Sequence, residues 1–420
     1  MTAGNVAFAA GWVNITPRKP FPLGGYSLRT KISAGIADQL EANVLIARTD
    51  GDIEAILVTV DLLYVGDALR ESILNKLSLN DHPEVLFFSA SHTHYAPMVQ
   101  YGTPRLGMPD PEYVEFVASR IADTIKHLRS FDREVTVSLH EGEADHSINR
   151  RLRRIRVTRT GIRLCTALGP NQHGERDESV RVCKLTDASG VPIVILWNYA
   201  CHPTGYPEQL HVSADFPGIV RQRLRCQYGN IPVLFFQGFS GDVRPRFVRH
   251  VGNLSSWLIW IMRGPRFGPP SLHEWHRWAE SLATRIAEIA ATRGRALHLE
   301  PPSLKRAMLP AERVATGKAS AKRFALHVGD FGDLCLLGIG AELVVRYRAL
   351  LKEVIPSAKT FFSVNCIDQN HAYLPTSDML PDGGYEVTGF QPAFDFRAKF
   401  KPELEQQVVG AFAKLLSSHC

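Results

Sequence analysis

The 420-residue sequence predicts an α/β fold of layered mixed sheets with flanking helices, and three observations carry that expectation. Short, nearly continuous apolar runs recur along the chain, as in strands covered on both faces. Segments with apolar residues at helical spacing lie between those runs. Two further stretches, 136–165 and 298–330, alternate polar and apolar residues in the manner of antiparallel strands. Strand and helix in loose alternation, with antiparallel stretches added, means mixed sheets that carry helices on their faces.

The strand runs are "EANVLIART" (41–49), "IEAILVTVDLL" (53–63), "EVLFFSAS" (84–91), "VPIVILWNYA" (191–200), "IPVLFFQGF" (231–239), "LCLLGIGA" (334–341) and "TFFSVNC" (360–366). Helices are expected over "PEYVEFVASRIADTIKHLRSF" (111–131) and over "DFPGIVRQRLRCQYG", which has a capping Asp at its start and ends at Gly229. "HEWHRWAESLATRIAEIAATRG" and "AELVVRYRALLKEVIP" have the same periodicity. No repeat and no low-complexity linker interrupts the chain, so 1–420 is read as one domain. "NLSSWLIWIMRGPRFGPPSLHEWHRW" (253–278) holds four Trp. It reads either as a lid or membrane-touching surface or as a segment packed on its own domain.

Composition narrows the class. Hydrophobic residues are 45% and charged residues 21%, ordinary for a soluble globular chain. Lys plus Arg exceeds Asp plus Glu by 48 − 42 = 6, too small a balance to argue for nucleic acid. The seven cysteines form no C-x-x-C pair, so neither a zinc knuckle nor a disulfide framework is expected. The N-terminus has no basic segment followed by a long apolar one, and no apolar run approaches ~18 residues. A cytoplasmic protein without stable membrane insertion is the expectation.

The chemistry gathers where the apolar runs stop. His92-Thr93-His94 follows "LFFSAS", His202 follows "IVILWNYAC", Glu342 follows "LCLLGIGA", and Asn370-His371-Ala372-Tyr373 follows "FFSVNCIDQ". Strand ends are rigid, and ligand sites of α/β sheets collect there. A His-x-His pair alone says little, and a lone Glu can simply favour a helix N-terminus. Two His and one Glu from separate strands, however, form a three-ligand set with an open position, the plan of a catalytic zinc.

These segments resemble the neutral (non-lysosomal) ceramidases. "SASHTHYAP" resembles that family's S-x-S-H-T-H-S-G-P, "WNYACHPTG" its N-x-x-x-H-P, and "EADHSINRR" its I-N-R-S segment. "FFQGFSGDVRPR" resembles its G-D-V-S-P-N, "LLGIGAELVVRYR" its I-P-G-E before a helix, and "NHAYLPTSDMLPDGGYE" its Y-x-T-T … Y-E-A. The matches keep the family's order over most of the chain. The resemblance implies zinc ligands at His92, His202, Glu342 and Tyr373. It implies catalytic roles for His94, Arg150 and Tyr385, with Asp215 in "VSADFPG" supporting a ligand histidine and Asp242 a second candidate for such support.

There are departures. The serine of G-D-V-S-P-N is Arg244 here and its asparagine is Arg246, so a serine nucleophile at that position is excluded. The family's secretion signal and C-terminal β-sandwich are not matched, and "HYAPMVQYGTPRLGMPDPE" replaces its small, Gly-rich loop. "NRRLRRIR" places Arg150, Arg151, Arg153, Arg154 and Arg156 together, and "DVRPRFVRH" adds Arg244, Arg246 and Arg249. Arg244 and Arg246 are expected to bind substrate, because guanidinium groups pair with carboxylate or phosphate. The other reading of the run is a solvated strand edge. No aromatic residue is interleaved with it, which excludes a single-stranded nucleic-acid surface.

The expectation is therefore a zinc-dependent hydrolase of a linear N-acyl amide, a small molecule or lipid, ceramidase-like but suited to a smaller or anionic substrate. Two alternatives stand beside it: acyl transfer or amide formation on a small metabolite by the same scaffold, and a zinc-containing binding protein without turnover.

Overall fold

The computed structural model describes residues 6–49, 52–158, 161–249 and 264–418. Three sheets repeat one plan. Each begins with three antiparallel strands, continues through a helix, and ends on a fourth strand parallel to the third. In the first sheet these are Val6–Asn14, Glu41–Thr49, Asp52–Val60, the helix Asp67–Leu77 and Leu86–Ala90. In the second they are Thr136–Glu143, Ser179–Thr186, Pro192–Tyr199, the helix Phe216–Tyr228 and Val233–Gln237. In the third they are Leu299–Pro310, Arg323–Gly332, Leu334–Ile339, the short helix Tyr347–Lys352 and Thr360–Val364. The repetition is one of topology, and the sequence carries no repeat to announce it. Apolar side chains of about the right volume suffice to build each layer, so the residues themselves need not recur.

All seven apolar runs are strands, and 136–165 and 298–330 form antiparallel pairs as their alternation predicts. The helices over 111–128, 216–228 and 272–291 are present. Asp110 caps the first through the Glu112 and Tyr113 amides, and Ser271 with Glu274 forms a capping box on the third. The helix expected to open at Glu342 starts later, at Tyr347. Glu342 and Leu343 instead pair in parallel with Tyr373 and Leu374, so tertiary pairing overrides helical periodicity there. No helix among the described residues is long and apolar enough to cross a membrane.

One face of every sheet enters a shared central core. Leu45, Leu57 and Phe87 come from the first sheet, Leu196 and Phe236 from the second, Leu336 and Phe362 from the third. The outer face of the second sheet packs Trp197 and Phe235 against Leu224, Leu282 and Ile286 of two helices. Trp275 and Trp278 of the Trp-rich stretch belong to that cluster, whereas Trp257 and Trp260 lie outside the described residues.

The common plan brings the loops after the third and fourth strands of all three sheets together. Backbone hydrogen bonds stitch them: Ala90 N–H to Cys366 O, Asn365 N–H to Gln237 O, Gly238 N–H to Tyr199 O, and Gly241 N–H to Leu343 O. Every residue that the sequence marks at a strand end lies in this seam.

Candidate metal centre

His92 leaves the strand Leu86–Ala90 with φ 67°, a left-handed turn that a non-glycine residue adopts only where its surroundings hold it. Its Nδ1 lies 3.1 Å from Leu63 O and 3.3 Å from Cys366 Sγ. His202 sets its Nδ1 2.7 Å from Ser240 O and 3.1 Å from Val243 O. Backbone carbonyls only accept, so both rings carry their proton on Nδ1 and turn an Nε2 lone pair the other way.

Both lone pairs meet the same carboxylate. Glu342 Oε2 is 3.0 Å from His202 Nε2 and 3.4 Å from His92 Nε2, and Tyr373 Oη is 3.3 Å from His202 Nε2. Tyr64 Oη donates to Glu342 Oε1 at 2.9 Å and so turns Oε2 toward the histidines. The Glu342–Leu343 and Tyr373–Leu374 pairing sets the phenol beside the carboxylate. His92, His202, Glu342 and Tyr373 are all buried.

Electron-pair donors at this separation repel unless a cation or a proton lies between them. With ligands at about 2.0–2.1 Å, the edge of a tetrahedron around zinc is about 3.3 Å. The 3.0–3.4 Å separations match that edge, so the donor set suits one ion of this size. Burial, helped by the Arg150 charge, pushes His202 down to about 4 and keeps it a neutral donor. His94 Nε2, 3.4 Å from His92 Nε2, completes a cluster with His92 and His202. Cys366, which also falls within metal-binding distance of His92 and Glu342, sits on the Nδ1 side of His92. Its thiol orients that ring, with Asn370 Nδ2 3.5 Å from the sulfur.

Beside the centre, Arg150 is fixed by Glu386 Oε1 at 2.8 Å and Gly241 O at 2.6 Å. Its guanidinium lies 5.4 Å and 5.1 Å from the ring centroids of Tyr373 and Tyr385. Arg151 holds the other Glu386 oxygen at 2.7 Å. Burial pushes the Tyr385 hydroxyl up to about 12, so it is a hydrogen-bond donor at neutral pH.

Two solved structures share this architecture. Neutral ceramidase from Pseudomonas aeruginosa is similar at TM-score 0.72 and 16% identity, over 98% of this chain and 74% of that one. A structure described as ceramidase complexed with C2 is similar at TM-score 0.71 and 15% identity, over 98% of this chain and 75% of that one. The fold is neutral-ceramidase-like. No family model matches the chain, and no curated protein matches it by sequence.

Within this ceramidase-like fold three expected residues lie elsewhere than the sequence placed them. Asp215 touches neither ligand histidine. Its carboxylate accepts from the Gly205, Tyr206 and Phe216 amides and from Trp275 Nε1, so it closes the loop that carries His202 and caps the helix after it. Asp242 likewise holds Val345 N–H and Asn149 Nδ2, and it is the Ser240 carbonyl that supports His202. Arg246 is committed to Asp145 and the Ser147 carbonyl. Arg244 faces the Phe267 ring at 4.5 Å and has no carboxylate partner among the described residues. Sequence reasoning missed Tyr64, Cys366 and Glu386. Tyr64 ends the run "ILVTVDLLY" and carries the same strand-end signal as the ligands, whereas Glu386 stands in the matched "GYE" segment, in which only Tyr385 is given a role.

Proposed function

We propose that this chain hydrolyses an N-acyl amide of the ceramide kind at a zinc ion held by His92, His202, Glu342 and Tyr373. The observation that carries the reading is the convergence of two Nε2 lone pairs, one carboxylate oxygen and one phenol within 3.0–3.4 Å, next to an anchored arginine. Zinc in such a site supplies Lewis acidity, making water a nucleophile near neutral pH and polarising a carbonyl.

The chain's own residues do the rest. Arg150 cannot turn away while Glu386 and Gly241 hold it, so its charge is preorganised for the oxyanion of a tetrahedral amide carbon. The protonated Tyr385 hydroxyl donates to the same oxygen. Burial first, with the neighbouring His92 and His202, holds the His94 pKa well below its ordinary value, so the ring rests neutral and takes a proton only as the attacking water gives one up. It then delivers that proton to the departing nitrogen. With Arg244 where the resembled motif has serine, the route runs without an acyl-serine intermediate.

The test is a panel of N-acyl amides read by mass spectrometry for free acid and free amine, before and after chelation and again after zinc is restored. Equimolar acid and amine that vanish and return with zinc are expected. A zinc-loaded, folded protein that releases neither product from any member would overturn the proposal.

A further inference from the structure

Buried arginines in this protein have carboxylate partners. Arg70 pairs with Asp368, Arg150 and Arg151 with Glu386, and Arg221 with Asp61. Arg244 is half-buried and, like Arg29 nearby, has no carboxylate partner among the described residues. Its Nε is sealed from solvent and finds no acceptor, and among the described residues its guanidinium rests on the Phe267 ring. The 250–263 segment next in the chain contains no Asp or Glu that could supply one. A half-buried cation without a counter-charge is costly, and a ligand that brings one completes it.

Its place in the fold says which ligand. Arg244 lies in the strand Val243–Pro245, paired with Ser147–Asn149, and the Val243 carbonyl immediately before it supports His202. The Arg244 charge acts on Tyr26 and Tyr95 and on the Cys201 thiol beside His202. The Tyr26 ring lies 4.9 Å from the His94 ring, and its hydroxyl is 3.2 Å from that of Tyr95. The guanidinium therefore belongs to the His94 side of the centre, where the Asp215 carboxylate acts on the same three groups but is taken up by its own bonds to three backbone amides and Trp275. The neighbouring Arg150 is already paired with Glu386, which it shares with Arg151.

We infer that Arg244 forms a subsite for a carboxylate carried by the substrate, so that the preferred amide is an acidic one. This rests on the amide-hydrolase reading above and specifies its substrate class. A planar carboxylate can take two parallel N–H bonds from a guanidinium edge, which gives the charge its partner.

The test compares three zinc-loaded proteins, wild type, Arg244→Gln and Arg244→Lys, on matched N-acyl amides. One amide bears its carboxylate on the amine part, a second on the acyl part, and a third has a primary amide in place of the carboxylate. The wild type should favour one of the acidic amides, and the ratio of its kcat/KM to that of the neutral amide should fall at least about 10-fold in Arg244→Gln. Arg244→Lys should retain part of the ratio, since it keeps the charge and loses the fork. Calorimetric binding of an N-acyl amino acid provides an arm independent of turnover, with saturable binding expected in wild type and loss in Arg244→Gln. If amides are not cleaved but that binding is seen and lost, the hydrolase reading fails and the carboxylate subsite stands. An unchanged ratio in Arg244→Gln, or binding indifferent to Arg244, overturns the subsite.

Discussion

Glu342 and His202, 140 residues apart in the chain, meet with Oε2 and Nε2 3.0 Å apart. Neither residue is steered by the other. Two carbonyls fix the imidazole from behind, at Ser240 and Val243, while Tyr64 holds the far oxygen of the carboxylate. The close approach of two electron-pair donors is thus imposed by the scaffold, and it is what an ion between them would require.

Tyr64 therefore matters although it does not face the ion. Tyr64→Phe keeps the packing and removes the bond to Glu342 Oε1. Zinc affinity measured by competition with a chromogenic chelator should fall about 10–100-fold, the usual cost of losing such a support. The melting temperature of the chelated protein should change little by comparison.

Glu386 pairs with two buried guanidinium groups at once, at 2.8 Å from Arg150 and 2.7 Å from Arg151. Removing it strands both. Glu386→Ala should cost about 3–5 kcal/mol in urea unfolding, as for other broken buried pairs. A cost below about 1 kcal/mol would mean that the two arginines find other partners.

Asp215 separates a loop-closing role from a ligand-supporting one. Asp215→Ala strands three backbone amides and an indole N–H, and hydrogen bonds to charged groups are worth about 1.5–3 kcal/mol each at most. A marked stability loss is expected, with faster amide hydrogen exchange around 202–216. Lost zinc affinity at unchanged stability would restore the expectation that Asp215 supports a ligand histidine.

How far the site was legible follows from where each residue sits. His92, His202 and Glu342 stand at the ends of apolar runs, and a strand end is visible in one sequence. The Asp215 role was not, because a left-handed backbone, φ 55°, turns its carboxylate toward Gly205 and Tyr206, and no local pattern encodes that turn. Tyr373 came from resemblance alone, since its position depends on a two-residue pairing with Glu342 across the seam. The same pairing explains the helix placed too early at 342. Arg246 was grouped with Arg244 by spacing, yet the partner that occupies it, Asp145, lies about a hundred positions away. The three-sheet plan was hidden because topology recurs here without residues recurring.

Asp38 gives a pH dependence independent of the metal centre. Burial raises its carboxyl from 3.8 to about 7, against the opposing bonds from Ser213 and Ala214 and the Arg221 charge. A pKa higher in the folded state means protonation favours folding. The contribution is complete below about pH 4 and is lost as pH rises through about 7. Asp38→Asn should lack this component, so its urea midpoint should gain on wild type between pH 5 and pH 8. Parallel midpoints across that range would refute the assignment.

The central claim is that four residues from separate loops hold one metal ion. Its most direct measurement is the metal content of the purified, zinc-equilibrated chain by inductively coupled plasma mass spectrometry, beside His92→Ala and His202→Ala with their folds verified by circular dichroism. About one zinc per wild-type chain, and a loss of most of it in each folded variant, is the predicted result. A wild type without bound zinc, or variants that retain it in full, would contradict the account.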